Sequence, residues 1–102
     1  MPDIKQQFVI LSPFTPMANQ PHVQRLVNSL FTMNIPLHCG VVLVQALTQN
    51  IRYTTNGTNP TASSGFRLTA GNDPIAIMVT DKTTLKFVAE TAGAYLEYEF
   101  GE

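Results

Sequence analysis

Residues 94–100 read Ala-Tyr-Leu-Glu-Tyr-Glu-Phe, and this stretch decides the fold class because its core-forming residues recur at every second position. The alternation places Ala94, Leu96, Tyr98 and Phe100 on one face and both glutamates on the other. A strand with one apolar and one polar face belongs to a sheet that covers a core on one side. We therefore predict a β-strand here, with its acidic side chains in solvent.

Shorter apolar runs precede this strand, of which 41–47 is continuously apolar and β-branched, as in a buried strand, and 51–55 alternates. Clusters of Gly, Asn, Pro and Asp separate them, at a spacing of roughly 8–12 residues that is typical of an all-β sandwich or barrel. We predict a single all-β domain, a small jelly-roll-like β-sandwich over residues 22–102, preceded by an extended N-terminal arm over residues 1–21. The predicted strands are 41–47, 51–55, 66–69, 75–79 and 84–89.

The predicted arm rests on the distribution of proline. Four of the seven prolines fall in the first 21 residues, and proline disfavours both a helix interior and a central strand. One apolar run, residues 7–11, interrupts them and is compatible with an edge strand. It would be either a strand of this chain's own sandwich or a segment that binds elsewhere, and a frayed terminus is the third alternative.

Residues 22–37 are compatible with two structures. Val23, Leu26, Val27 and Leu30 have helical spacing, whereas Val23, Arg25 and Val27 alternate as in a strand. Because the rest of the chain is so strongly β, we favour strands.

Asn56-Gly57, directly after the predicted strand 51–55, is a hairpin signal. It predicts a type I′ turn, since this turn needs a positive φ at both central positions and Asn-Gly is the sequence that favours it.

The composition excludes several classes of function. Charged residues are 13% of the 102-residue chain and its net charge is −1, so no basic field exists to bind nucleic acid. No apolar run is long enough to span a membrane, and the N-terminal sequence does not resemble a signal peptide. The 12 Thr and 7 Asn solvate the surface by neutral hydrogen bonds. A surface with few charges is easier to bury against another protein.

No constellation of residues predicts catalysis. His38 and Cys39 are adjacent, so on an extended chain their side chains point to opposite faces and cannot act as nucleophile and base. His22 is expected to be a surface or capping group, and Glu97 and Glu99 a solvated strand face. One Cys and two His cannot supply the usual four-ligand zinc set. We predict no enzyme activity, no catalytic residue, no cofactor and no metal.

Residues 50–68, NIRYTTNGTNPTASSGFRL, resemble a segment of small structural proteins of tailed bacteriophages. The likeness extends over about residues 40–100 and includes Leu-Val-Gln-Ala at 43–46, Ala-Gly at 70–71 and Ala-Gly-Ala at 92–94. It implies a capsid cement or decoration protein on the capsid surface of a virion, assembled in the host cytoplasm. It also implies the major capsid protein as partner and a homo-oligomer, dimer or trimer. A head–tail or tail component of the virion is the alternative within this class.

Residues 53–61, YTTNGTNPT, also resemble the hairpin of immunoglobulin-like accessory domains of carbohydrate-active enzymes. That likeness is shorter and implies a carbohydrate-binding module. Such modules present coplanar exposed aromatic rings, and this chain has no Trp and only 3 Tyr. The phage likeness is therefore the leading hypothesis.

The predicted partner-binding residues lie in the arm and in the loop after residue 55. The strands after Gly40 supply enough apolar residues for a core, so Phe8, Ile10 and Phe14 are surplus to it. We predict that they bind a neighbouring subunit, either another copy of this chain or the capsid protein, with an extended strand adding to a foreign sheet edge. Asn56 and Thr58 are the loop residues predicted to contribute.

Overall fold

The computed structural model describes residues 14–102, and within that range the chain forms eight strands and no helix. The prediction of an all-β fold is confirmed, and the ambiguous region 22–37 forms strands, as favoured. The strands are β1 (Val23–Val27), β2 (Phe31–Thr32), β3 (Val41–Ala46), β4 (Ile51–Thr54), β5 (Phe66–Leu68), β6 (Ile75–Met78), β7 (Lys86–Ala89) and β8 (Ala94–Gly101).

The strands form two four-stranded antiparallel sheets. The order is β1-β8-β3-β6 in the first sheet and β2-β7-β4-β5 in the second. This order corresponds to one long antiparallel hairpin that is folded over, so that each of its two halves contributes strands to both sheets. The strand pairs of that hairpin are β1–β8, β2–β7, β3–β6 and β4–β5. This arrangement is the jelly roll, and the predicted jelly-roll-like sandwich is confirmed.

The core lies between the sheets and is built by alternation along each strand. In β8 the even-numbered residues Ala94 to Phe100 are all buried, whereas Tyr95 is exposed and the two glutamates are half-buried. The largest fully buried side chains come from both sheets and from the segment before β7. Burial of such side chains contributes about 1.5–3 kcal/mol each. They are Phe87, Ile51, Leu85, Leu96, Val27, Val42 and Val44.

A row of aromatic rings crosses the interior from the β5 side to the β1 side. Neighbouring ring centroids are 5.5, 5.9, 6.1 and 6.4 Å apart, within the range of favourable ring contacts. The row begins at an exposed ring on β5, and its members in order are Phe66, Tyr53, Phe87, Phe31 and Tyr98.

The last part of the predicted arm is joined to the sandwich. The N–H of Met17 donates to the carbonyl of Phe100, and the N–H of Glu102 donates to the carbonyl of Thr15, both at 3.0 Å. A Cβ at Gly101 would lie 2.5 Å from the Phe14 ring, so that ring packs directly on the backbone of β8. Residues 1–13, including Phe8 and Ile10, lie outside the described residues.

The predicted type I′ turn at Asn56-Gly57 is wrong. Gly57 has a φ of +86°, but Asn56 is not among the described non-glycine residues with positive φ. The next strand along the chain, β5, does pair with β4, but eleven residues separate the two strands. Tertiary bonds determine this: Gly57 donates to the carbonyl of Thr84, and Thr84 donates to that of Thr55. The loop is therefore held against the segment before β7.

Candidate functional site

The residues first considered for catalysis are kept apart by the fold. Cys39 is buried, and its Sγ donates to the carbonyl of Val41 at 3.3 Å. His38 precedes it with a φ of +72° in the loop between β2 and β3. Within residues 14–102, no three His, Cys, Asp or Glu side chains are placed to hold a metal ion.

His22 forms a cluster with Glu97 and Glu99 on the outward side of the first sheet. Its Nε2 lies 2.9 Å from Oε2 of Glu97, and its Nδ1 lies 2.7 Å from Oε2 of Glu99. Both ring nitrogens thus face carboxylates, which favours the doubly protonated imidazolium. The hydrogen bond to Glu97, and then that to Glu99, raises the pKa of His22 above its ordinary value of 6.5.

The sequence did not reveal this His22 cluster. The outward alternation of the two glutamates was visible, but His22 is 75 and 77 residues away from them. Only the register of β1 against β8, with Val23 opposite Tyr98, brings the imidazole to these carboxylates. His22 was correctly expected at the surface, but as a solitary group.

A shallow cavity of about 170 Å³ lies beside the His22 cluster and is also lined by Leu43, Gln45 and Pro74. Pockets for small-molecule ligands usually measure about 300–1,000 Å³, so this cavity is below that range. A wider surface groove of about 750 Å³ lies between the β2–β3 loop and the segment before β7, where Leu37 is 77% exposed.

The outward side of the second sheet carries a set of ion pairs around Glu90. Its Oε2 accepts from Nε of Arg52 at 2.6 Å and from Nε of Arg67 at 2.8 Å. Arg67 first, and then Arg52, hold the pKa of Glu90 below its ordinary value. Arg52 also donates to the carbonyl of Gly65 at 2.9 Å. These charges join β4, β5 and the end of β7, so their role in the fold is structural.

Apart from Leu37, the large exposed apolar side chains of the described residues lie in two places, near the β6 edge and near the β1 edge of the first sheet. The open edge consists of Phe66 on β5 with Ile75 and Met78 on β6, and these side chains are 63%, 41% and 77% exposed. The β1 patch consists of Leu26 and Tyr95, which are register partners, and of Leu30 in the turn after β1. Both surfaces fit contact with a protein better than contact with water.

The predicted partner-binding residues do not form one site in the described structure. Phe14 lies over Gly101 and Val41, on the outward side of the first sheet. Asn56 and Thr58 lie in the β4–β5 loop, where Oδ1 of Asn56 accepts from the Thr58 N–H at 3.1 Å. No described contact joins them to Phe14.

The fold and these surfaces define a small all-β sandwich domain. A family model of the chitobiase/beta-hexosaminidase C-terminal domain matches residues 40–97, more than half of the chain, and the protein belongs to this family. The match contains residues 53–61, whose likeness to accessory domains of carbohydrate-active enzymes agrees with it. The likeness to phage structural proteins stays a prediction.

No curated protein and no solved structure matches the chain. None of the described residues belongs to a helix that is long and apolar enough to cross a membrane.

Proposed function

We propose that this protein is a non-catalytic structural protein of a bacteriophage particle, most simply a capsid cement protein that contacts the major capsid protein. The observation that carries the proposal is the pair of apolar surfaces, the open edge at the β5–β6 side of the sandwich and the β1 patch at its β1 side. A protein that joins neighbouring subunits needs two contact surfaces, whereas a ligand-binding domain needs one.

The distribution of charge supports a protein partner. In the described chain, Glu90 is paired with Arg52 and Arg67, and Glu97 and Glu99 share His22, whose protonated imidazolium they favour. A neighbouring subunit that docks on the apolar surfaces therefore desolvates few free charges. The strand order also supports the proposal by analogy, because jelly rolls form many viral capsid domains and also lectin domains.

Leu26 provides the test of the β1 patch. Leu26→Ser removes an exposed apolar side chain at the centre of the patch, and Gln24→Ser changes an exposed polar residue on the same strand and face. If the patch contacts the shell, Leu26→Ser weakens binding to particles by about tenfold or more, since burying a Leu side chain contributes about 1.5–3 kcal/mol. Gln24→Ser binds as the unchanged protein does.

The readout is co-sedimentation of the purified protein with particles from which it is absent. Equal binding of the two variants contradicts the assignment of the β1 patch to the shell. Failure of the unchanged protein to bind contradicts the virion role.

A second candidate function is that of an accessory module that binds carbohydrate, and the family match favours it. Its name links the domain to enzymes that act on chitobiose and β-hexosaminides. The exposed aromatic rings of Phe66 and Tyr95 belong to different sheets. They therefore do not form one flat aromatic surface on which a sugar chain could stack. Retention on insoluble chitin, weakened in Tyr95→Ala, is the result that favours this function over the virion role.

A further inference from the structure

The sandwich is closed on its β1–β2 side and incompletely covered on its β5–β6 side. At the closed side, Val27 is 1% exposed, and the guanidinium of Arg25 lies 4.0 Å from the centre of the Phe31 ring. At the open edge, Phe66 is the register partner of inward-facing Tyr53, and Ile75 is the register partner of buried Val44. Both face the space between the sheets, yet both remain largely exposed to solvent.

Among the described residues 14–102, no strand pairs with the outer edge of β6. The N–H of Val79 donates to the carbonyl of Gly40 on the β3 side at 3.0 Å. Because hydrogen-bonding direction alternates along a strand, the N–H and C=O groups of Ala76 and Met78 point away from β3. β6 is the last strand of its sheet, so these groups form an edge on which a strand can pair.

The other three sheet edges are protected in the ways that proteins commonly use. β1 carries Arg25, β2 has only two residues, and β5 has only three and carries Arg67. β6 has no charged residue from Pro74 to Thr80. Within the described chain it is therefore the edge best suited to strand addition.

Residues 7–11, Gln-Phe-Val-Ile-Leu, lie outside the described range and have a sequence suited to pairing with this edge. They are uncharged and rich in β-branched and aromatic residues. Residues 7–11 cannot reach β6 of the same chain. Thr15 lies on the far side of β8, so a strand added to β6 would be four strand spacings away, or about 19 Å. The four residues from Leu11 to Thr15 span at most about 14 Å.

We infer that the open edge binds residues 7–11 of a second copy of this chain as an added strand. Backbone bonds to Ala76 and Met78 supply affinity, and the alternating side chains Phe8 and Ile10 cover the exposed inward-facing groups. The inference identifies the partner of the open edge as another copy, and it holds whether the assembly is a virion or another particle.

Two variants of the full chain test the donor and the acceptor separately. Ile10→Asp places a charge in the donor strand, and Ala76→Pro removes one outward N–H from β6 without touching a bond to β3. Their matched controls, Ile10→Val and Ala76→Val, keep an apolar donor and a complete backbone. Sedimentation equilibrium measures self-association, and circular dichroism checks that every variant is folded.

We expect the unchanged protein and both controls to self-associate, and Ile10→Asp and Ala76→Pro to be monomers when each is alone. Mixing these two variants restores a dimer, because one supplies an intact edge and the other an intact strand. A monomeric unchanged protein overturns the inference. So does self-association of Ile10→Asp alone, the result expected if β6 pairs with β6. Loss of association that mixing fails to rescue also overturns it, and is the result expected if residues 7–11 pair within their own chain.

If Ala76→Pro does not fold, Met78→Lys replaces it as the acceptor variant. Its side chain is solvent-exposed and faces outward from the sheet, and a lysine on an edge strand opposes strand addition. The same mixing outcomes then apply.

Discussion

Nδ1 of His22 lies 2.7 Å from Oε2 of Glu99, across a sequence separation of 77 residues. The contact joins the segment that precedes β1 to the outward face of β8, next to the point where residues 15–17 pair with the same strand. The imidazole thus links the segment before β1 to β8 through its contacts with the two carboxylates.

This contact makes the stability of the protein depend on pH. Glu97 and Glu99 raise the pKa of His22, and the side chains that face it from β3 and the β5–β6 loop, Leu43, Gln45 and Pro74, are uncharged. A raised folded-state pKa stabilises the fold fully below about pH 6.5, and the contribution is lost as pH rises through the folded value. We expect the melting temperature to fall over that window.

His22→Gln is the control for the pH dependence. It keeps a hydrogen-bonding side chain but does not titrate, so its melting temperature should not show the His22 part of the decrease. If His22→Gln and the unchanged protein lose stability in parallel above pH 6.5, the imidazole is not responsible.

Glu90 gives a pH dependence of the opposite sign. Arg67 and Arg52 lower its pKa, so its stabilising contribution is present above its ordinary value of 4.5 and is lost as pH falls through the folded value. Glu90→Gln should lower the melting temperature at neutral pH and reduce the loss on acidification. Arg52→Lys should be more harmful than Arg67→Lys, because Arg52 also bonds the carbonyl of Gly65. Equal melting temperatures for the two lysine variants would argue against that second bond.

Gly57 tests the conformation of the β4–β5 loop. Its φ of +86° is disfavoured for a β-branched residue, so Gly57→Val should destabilise the fold by about 1 kcal/mol or more. Gly57→Asn should cost less, since Asn tolerates this conformation better. The measurement is urea denaturation of both variants, and an unchanged midpoint for Gly57→Val contradicts the observed backbone.

Gly101 tests the packing of Phe14. A Cβ at Gly101 would lie 2.5 Å from the Phe14 ring and 2.7 Å from Val41, so Gly101→Ala should displace the ring at a cost of about 1–3 kcal/mol. Chymotrypsin should then cleave after Phe14 faster than in the unchanged protein. In a Phe14→Ala background the same substitution should cost less. Equal costs in both backgrounds would show that the ring does not occupy this position.

Local sequence patterns predicted much of the fold. Alternation in residues 94–100 correctly located β8, because this strand buries one face and its period of 2 is visible without knowledge of its neighbours. The continuous β-branched run 41–47 correctly located β3, because such a run is too short for a typical helix and is typical of a buried strand. The short run at 66–69 was also placed correctly, since turn residues bound it on both sides.

The side-chain contacts on the surface, and the position of the open edge, could not be predicted from local sequence patterns. The partners of His22 and Glu90 depend on strand register and sheet order, which no local pattern records. The turn at Asn56-Gly57 was wrong because Thr84, distant in sequence, supplies hydrogen bonds that outweigh the local preference. The open edge became visible only when the sheet order showed that no other strand of residues 14–102 lies beyond β6.

The central claim is that this protein joins subunits on the outside of a phage shell. Its most direct test is cryo-electron microscopy of particles assembled with and without the protein. We predict difference density on the outer capsid surface that fits the eight-stranded sandwich, with the β1 patch against the shell and copies connected through the open edge. The same shell density in both kinds of particle, together with retention of the protein on chitin, would contradict the claim.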